Sequence, residues 1–356
     1  MFNFKIIKHR DIIILDDGFS NIKFKNFSYE IINLKTINFF CAIKTLFCFF
    51  FKRNSFDIKE IYKQNLYRMY SPKLAISHHI NKKAVECKYL CPEIKNAIYQ
   101  FAYFKNKKKL TLDNLLGKFK DKNINENLID YLFVFHEKDK KNFNLKNTKI
   151  FVVGSVKNNE IILKKINKKK KSILFISEYN PKFYKQNKLA YKKECKLLEF
   201  LSEFCKKNKI KLNIALRSNR NDKYIDKKAE IKFYNKFFGT DFNISSKDAY
   251  NFSSKSEVVV CISSNLGIEL LARKYKVLFI LINESKNEHY PYLPKDEIFV
   301  ERKLNRNKFL TKLKKIYYLR SSAWEVLLKK KIKNIKFDPG NKILKTKIEE
   351  ILKNEK

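Results

Sequence analysis

Residues 263–267, Ser-Ser-Asn-Leu-Gly, with Glu269 just beyond them, are the side chains of this 356-residue chain best placed for chemistry. They follow the β-branched run of residues 258–262 (VVVCI) and precede an apolar, helix-like segment. A strand that ends where a helix begins offers backbone N–H groups and the positive end of the helix dipole, which suits an anion such as a phosphate. Ser263, Ser264, Asn265 and Gly267 are therefore the candidate phosphate contacts, and Glu269 could accept from a ribose hydroxyl. The plainer alternative is that Ser264 or Asn265 caps the helix and Glu269 completes the cap. Arg217 and Arg220, in one turn after another apolar run, could clamp the charge of a departing phosphate or sit in a solvated loop. Gly154 and Ser155 close a further strand-like run and join the anion candidates. Asp16, Asp17, His78, His79 and His136 also end apolar runs, and of these Asp17, His78 and His136 are taken as candidates for a general base on an acceptor hydroxyl.

These residues need strands to hold them. Short apolar runs at 12–15, 73–77, 131–135 and 149–153 read as strands, with a strand and then a helical stretch over 30–65 and a strand or short helix over 93–104. Residues 105–128 are polar and rich in Lys and Asn, as a surface loop would be. The charge run 164–171 (KKINKKKK) is the best linker. Beyond it the alternation restarts: strands at 172–176, 211–216, 258–262 and 277–282, an amphipathic helix over 188–207, and closing helices at 306–318 and 341–353. Alternating strand and helix in both halves predicts an α/β fold of two Rossmann-like, doubly wound domains facing a cleft. The boundaries would be 1–163 for the first domain, 172–335 for the second, and 336–356 for a C-terminal helix. Ligands in such sheets bind at the carboxyl ends of the strands, where the residues named above cluster.

Composition narrows the partners. With 44% hydrophobic and 15% aromatic residues the chain can build proper cores. The net charge of +42 comes almost wholly from Lys, since only nine of the 78 basic residues are Arg. Nucleic-acid readers favour the bidentate Arg fork, so nucleic acid is set aside, whereas Lys-rich faces suffice to draw a chain to an anionic membrane surface. Seven scattered Cys in apolar contexts, with no signal peptide, predict reduced thiols in a cytoplasmic protein, with peripheral contact at the inner membrane as a further expectation. The Cys87–Cys91 spacing does not make a metal site, and no D-x-D loop suggests a metal-dependent transferase, so no metal and no cofactor are expected. Residues 38–51 (NFFCAIKTLFCFFF) are apolar but too short to span a bilayer and carry Lys44, which predicts a core helix or an interfacial segment. There is no P-loop and no G-x-G-x-x-G fingerprint.

Three stretches in order resemble the bacterial surface-carbohydrate (O-antigen) biosynthesis transferases: 71–104 (SPKLAISHHINKKAVECKYLCPEIKNAIYQFAYF), 131–160 (YLFVFHEKDKKNF through TKIFVVGSVKNNE) and 256–280 (SEVVVCISSNLGIELLARKYKVLFI). The chain departs from that pattern at Gln100, which has no glycine partner, and at His78-His79, where an acidic residue and Asn are usual. The resemblance implies a GT-B-type glycosyltransferase with the nucleotide-sugar donor in the second domain and a glycan or lipid-linked acceptor in the first. By that analogy Ser263, Ser264 and Gly267 would meet the donor phosphate, with Glu269 near the ribose. Metal-independent sugar transfer to a surface glycan is the leading expectation. A CDP-glycerol-type polyol-phosphate transferase and a non-catalytic membrane-surface scaffold of glycan assembly are the alternatives.

Overall fold

A computed structural model describes residues 2–16, 22–32, 34, 36–51, 56–79, 83–101, 128–142, 147–163, 171–218, 225–244, 249–282, 293, 297–332 and 335–354. Asp17, Arg220, the 105–128 loop apart from its last residue, and nearly all of the 164–171 charge run lie outside them. The chain divides into two compact units: Met1–Ile161 together with Lys336–Lys356, and Ile162–Ile335.

The first unit runs β1 (Phe2–Asn3), β2 (Ile12–Ile14), β3 (Tyr29–Ile31), β4 (Ile37–Asn38), α1 (Phe39–Phe51), α2 (Ile58–Tyr70), β5 (Leu74–His78), α3 (Lys83–Leu90), β6 (Lys95–Tyr99), β7 (Tyr131–Val134), α4 (Glu137–Asn142), β8 (Lys149–Val152) and α5 (Val156–Glu160). Six of its strands form a sheet in the order β3-β2-β5-β6-β7-β8, every pairing parallel. Ile12, Ile13 and Ile14, all at 0% exposure, show why β2 is apolar without alternation: a parallel sheet is covered on both faces. The described part of 93–104 holds a strand, and 30–65 hold two helices where the sequence reads as one helical stretch. Asp57 separates them by capping α2, its side chain accepting from Glu60 N at 2.8 Å.

The second unit runs β9 (Ser172–Ile176), α6 (Pro181–Gln186), α7 (Lys188–Lys207), β10 (Lys211–Ala215), α8 (Lys227–Phe238), β11 (Phe242–Ile244), α9 (Ala249–Ser254), β12 (Val258–Cys261), α10 (Asn265–Ala272), β13 (Val277–Ile280), β14 (Val300–Glu301), α11 (Arg306–Tyr318) and α12 (Ser321–Lys331). Its parallel sheet is ordered β11-β10-β9-β12-β13-β14. Counted within the unit this is 3-2-1-4-5-6, the doubly wound Rossmann order, with its reversal point between β9 and β12.

The last helix, α13 (Lys342–Asn354), belongs to the first unit. Leu344, Ile348, Ile351 and Leu352 lie on one helical stripe and join the cluster of Ile12, Ile76, Tyr99 and Phe133. Buried Asn159 ties the returning chain down: its Nδ2 donates to Asn341 Oδ1 at 3.0 Å, its Oδ1 accepts from Asp338 N at 2.9 Å, and its carbonyl accepts from Gly340 N at 2.7 Å. That return also explains Gly154. With φ +77° it holds a left-handed conformation, and a Cβ there would stand 2.7 Å from the Lys336 carbonyl oxygen.

Candidate functional site

In the second unit the ends of β9 and β12 meet at the reversal point of the sheet, where Ile176 and Cys261 are register partners. Ser177 and Glu178 follow β9, and Ser263 and Ser264 follow β12. The Glu178 carboxylate spans the gap, accepting from Ser263 N at 2.7 Å and from the Ser263 hydroxyl. Thus the Ser263 N–H, a natural anion donor, is already held by an acidic side chain of the same unit. Ser264 stands at the N-cap position of α10, and its side chain makes no capping hydrogen bond there. Asn265 begins the helix, and its first turn carries the positive end of the helix dipole, with Gly267 N donating to the Ser264 carbonyl at 3.0 Å.

A second carboxylate organises the neighbouring strand end. Glu230, fully buried on α8, accepts from Arg217 N at 2.8 Å and Ser218 N at 2.9 Å, and from the Ser177 hydroxyl. Ser177 in turn accepts from the Tyr234 hydroxyl at 2.7 Å. Arg217 is thereby fixed at the end of β10, with its Nη1 3.4 Å from the carbonyl oxygen of Glu178, the residue whose carboxylate holds Ser263. Behind them stands Glu194 of α7, 1% exposed. Burial, and the nearby Glu178 and Glu230 carboxylates, push its carboxyl up to about 7.

Glu269 and Gly267 have other engagements. The Glu269 carboxylate accepts from the buried Tyr250 hydroxyl and is itself buried. A Cβ on Gly267 would lie 2.5 Å from Cys261 Sγ and 2.8 Å from Phe279 Cε1, so its missing side chain lets α10 press against β12 and β13. Gly154 and Ser155 belong to the first unit: Gly154 makes room for the returning chain, and Ser155 caps α5, accepting from Asn158 N at 3.3 Å.

The first unit has its own reversal point, between β2 and β5, and there the structure brings together three strand ends. Asp16 Oδ2 accepts from His78 N at 2.6 Å and Oδ1 accepts from the Tyr99 hydroxyl at 2.8 Å. The His78 ring stands edge-on to Tyr99 at 6.0 Å, and burial holds its imidazole below the usual range against the opposing pull of Asp16. Burial brings His79 down to about 4, with Nδ1 accepting from Phe101 N at 3.0 Å. His136, also down to about 4 through burial, has Nδ1 accepting from Lys138 N at 2.8 Å, so its ring proton sits on Nε2.

Glu178, Glu194 and Glu230 were not singled out in the sequence. Glu178 had a signal, since it stands two residues past an apolar strand run, as Ser263 does. Glu230 and Glu194 sit on helices, where only the fold turns them toward strand ends.

The sequence model of the family described as "putative O-antigen biosynthesis protein" matches residues 102–355. The chain belongs to this family. No curated protein matches it significantly. Among solved structures, this O-antigen biosynthesis family member is similar to a putative UDP-N-acetylglucosamine 2-epimerase from Listeria monocytogenes, at 12% identity and a TM-score of 0.59 over 97% of this chain and 98% of that one. It is similar also to MnaA of S. aureus with UDP, at 10% identity and a TM-score of 0.54 over 94% of each chain. The pneumococcal O-GlcNAc transferase GtfA, solved with UDP and GlcNAc, matches at 12% identity and a TM-score of 0.54 over 85% of this chain and 62% of that one. These likenesses establish a GT-B fold of two Rossmann-like domains for the O-antigen biosynthesis family member. Among the described residues no helix is long and apolar enough to cross a membrane.

Proposed function

We propose that the protein transfers a sugar from a nucleotide-sugar donor to a surface-glycan acceptor, without a required metal or cofactor. The observation that carries this reading is the Ser263–Asn265 turn at the reversal point of a 3-2-1-4-5-6 sheet, in a member of an O-antigen biosynthesis family. The donor diphosphate is assigned to the first turn of α10 and to Arg217. Both stabilise negative charge that grows as the nucleoside diphosphate leaves, which raises kcat and not merely affinity. Because Glu178 already holds the Ser263 N–H, and two anions repel on one donor, Glu178 is assigned to hydroxyl groups of the donor instead of its phosphates. The acceptor is assigned to the first unit, with His78 beside Asp16 as the base that takes the proton of the attacking hydroxyl.

A second reading, epimerisation of a UDP-sugar, is favoured by one observation: the chain covers 98% of the Listeria 2-epimerase but only 62% of GtfA. Both readings place a nucleotide-sugar at the same turn, and product analysis separates them. A thermal-shift screen over UDP-, GDP-, CDP- and CMP-sugars tests the shared premise, and a CDP-polyol shift would favour the polyol-phosphate alternative. A donor at about 100 times its Kd adds roughly 2.7 kcal/mol. Arg217→Ala and Glu178→Ala are expected to abolish most of that gain. Absence of a shift with every nucleotide, or an undiminished shift in both variants, overturns the assignment.

A further inference from the structure

Helix α1 has its faces the wrong way round for a water-soluble surface. Its buried residues are Cys41, Thr45 and Cys48, one stripe at i, i+4 and i+7. That stripe meets α2 through small and polar contacts: Asn65 Nδ2 donates to Thr45 Oγ1 at 3.3 Å, and Cys41 Sγ donates to the Tyr62 carbonyl at 3.4 Å. The outward face carries the large apolar side chains, with Ile43 at 52%, Phe47 at 59%, Phe50 at 73% and Phe51 at 76% exposed. An ordinary surface helix turns its apolar stripe inward and its polar face out.

The patch extends beyond the helix. Strand β1 pairs with β4, which leads straight into α1, so Phe2 (58% exposed) and Phe4 (64%) come onto the same surface. Their rings lie 6.5 and 5.0 Å from that of Phe39. A contiguous run of exposed phenylalanines of this extent marks an interaction site. Only one charged residue lies in α1, the exposed Lys44, and exposed Lys5 and Lys8 follow β1.

We propose that α1 and the N-terminal β1 segment form a membrane-docking surface, lying in the plane of an anionic lipid bilayer with the phenylalanines among the acyl chains. Charge selects this occupant over the others. A chain of net charge +42 is drawn to anionic headgroups and repels a second copy of itself. Lys44, exposed midway along the helix at the border of the apolar face, has a stem long enough to lie along the acyl chains while its ammonium reaches the phosphates. At 13 residues the helix is about 20 Å long, short of the roughly 30 Å hydrocarbon core, so it lies on the bilayer and does not span it.

Membrane docking and sugar transfer are separable, because the first is read without nucleotide and the second without lipid. The full chain is floated with vesicles of phosphatidylglycerol and phosphatidylcholine, and with phosphatidylcholine alone. Binding is expected to the anionic vesicles and to weaken with added salt. The combined variant Phe47→Ser, Phe50→Ser, Phe51→Ser is expected to melt like the parent and to lose about 100-fold in binding. Lys44→Gln should lose about fivefold on anionic vesicles only. In Phe50→Trp the new indole should be quenched by brominated lipid, while the native Trp324, fully buried in the second unit, is not. Failure to bind anionic vesicles, undiminished binding by the triple variant, or self-association through the patch without lipid binding each overturns the proposal.

Discussion

Replacing Gly267 with alanine tests whether this glycine serves the packing of α10 or the approach of a phosphate. The added methyl would lie 2.5 Å from Cys261 Sγ and 2.8 Å from Phe279 Cε1, and both neighbours are at 0% exposure in the sheet beneath. Ordinary contact is about 3.5–4.0 Å, so the helix must back away by roughly 1 Å or the Phe279 ring must shift. Neither partner is the loose end of a flexible side chain. Overpacking of this kind costs about 1–3 kcal/mol, and with two clashes the upper end is expected. For a domain of this size that lowers Tm by roughly 6–12 °C. Adding Cys261→Ala removes the closer clash and leaves the ring, so the double variant should regain part of the loss relative to the sum of the single changes. Thermal melts of the parent, the two single variants and the double variant, each with and without the best nucleotide, read both effects. If Gly267→Ala melts like the parent yet loses the nucleotide-induced shift, the glycine serves ligand approach and the packing account is refuted.

Three further outcomes follow from the buried carboxylates. Glu194 is held protonated by burial to about 7, above the usual value of 4.5, so the native state binds an extra proton between the two and stability falls as pH rises through that window, by up to about 3 kcal/mol. Glu194→Gln should flatten the urea-melt profile between pH 5 and pH 8, and an unchanged slope would sink the assignment. In the first unit, Asp16→Asn removes the charge that favours the protonated His78 ring, so the His78 midpoint followed by NMR should move further down. Tyr99→Phe, which removes only the hydroxyl bonded to Asp16, should cost about 1 kcal/mol. A His78 midpoint that rises in Asp16→Asn would show that the carboxylate does not act on the ring.

The α/β class and the two doubly wound sheets could be read from the chain because parallel strands buried on both faces must be continuous apolar runs, as at 12–14 and 258–261. The Ser263–Gly267 turn could be found because a strand end and a helix start leave their signatures in adjacent residues. The partners of that turn could not. Glu178 lies 85 residues before Ser263, and Glu230 lies 12 residues after Ser218 on an intervening helix, so neither pairing leaves a local pattern.

Residue type and spacing therefore determined where strands end and which ends carry polar side chains. Tertiary structure decided what each of those side chains does, because function at a strand end depends on which other strand ends the sheet order places beside it. Gly154 and Gly267 were equally conspicuous in a chain with six glycines. One proved to admit the returning C-terminal segment, the other to seat α10 against Cys261 and Phe279. Likewise the apolar run 38–51 fixed a helix by itself, while only the packing of Cys41, Thr45 and Cys48 against α2 settled that its phenylalanines face outward.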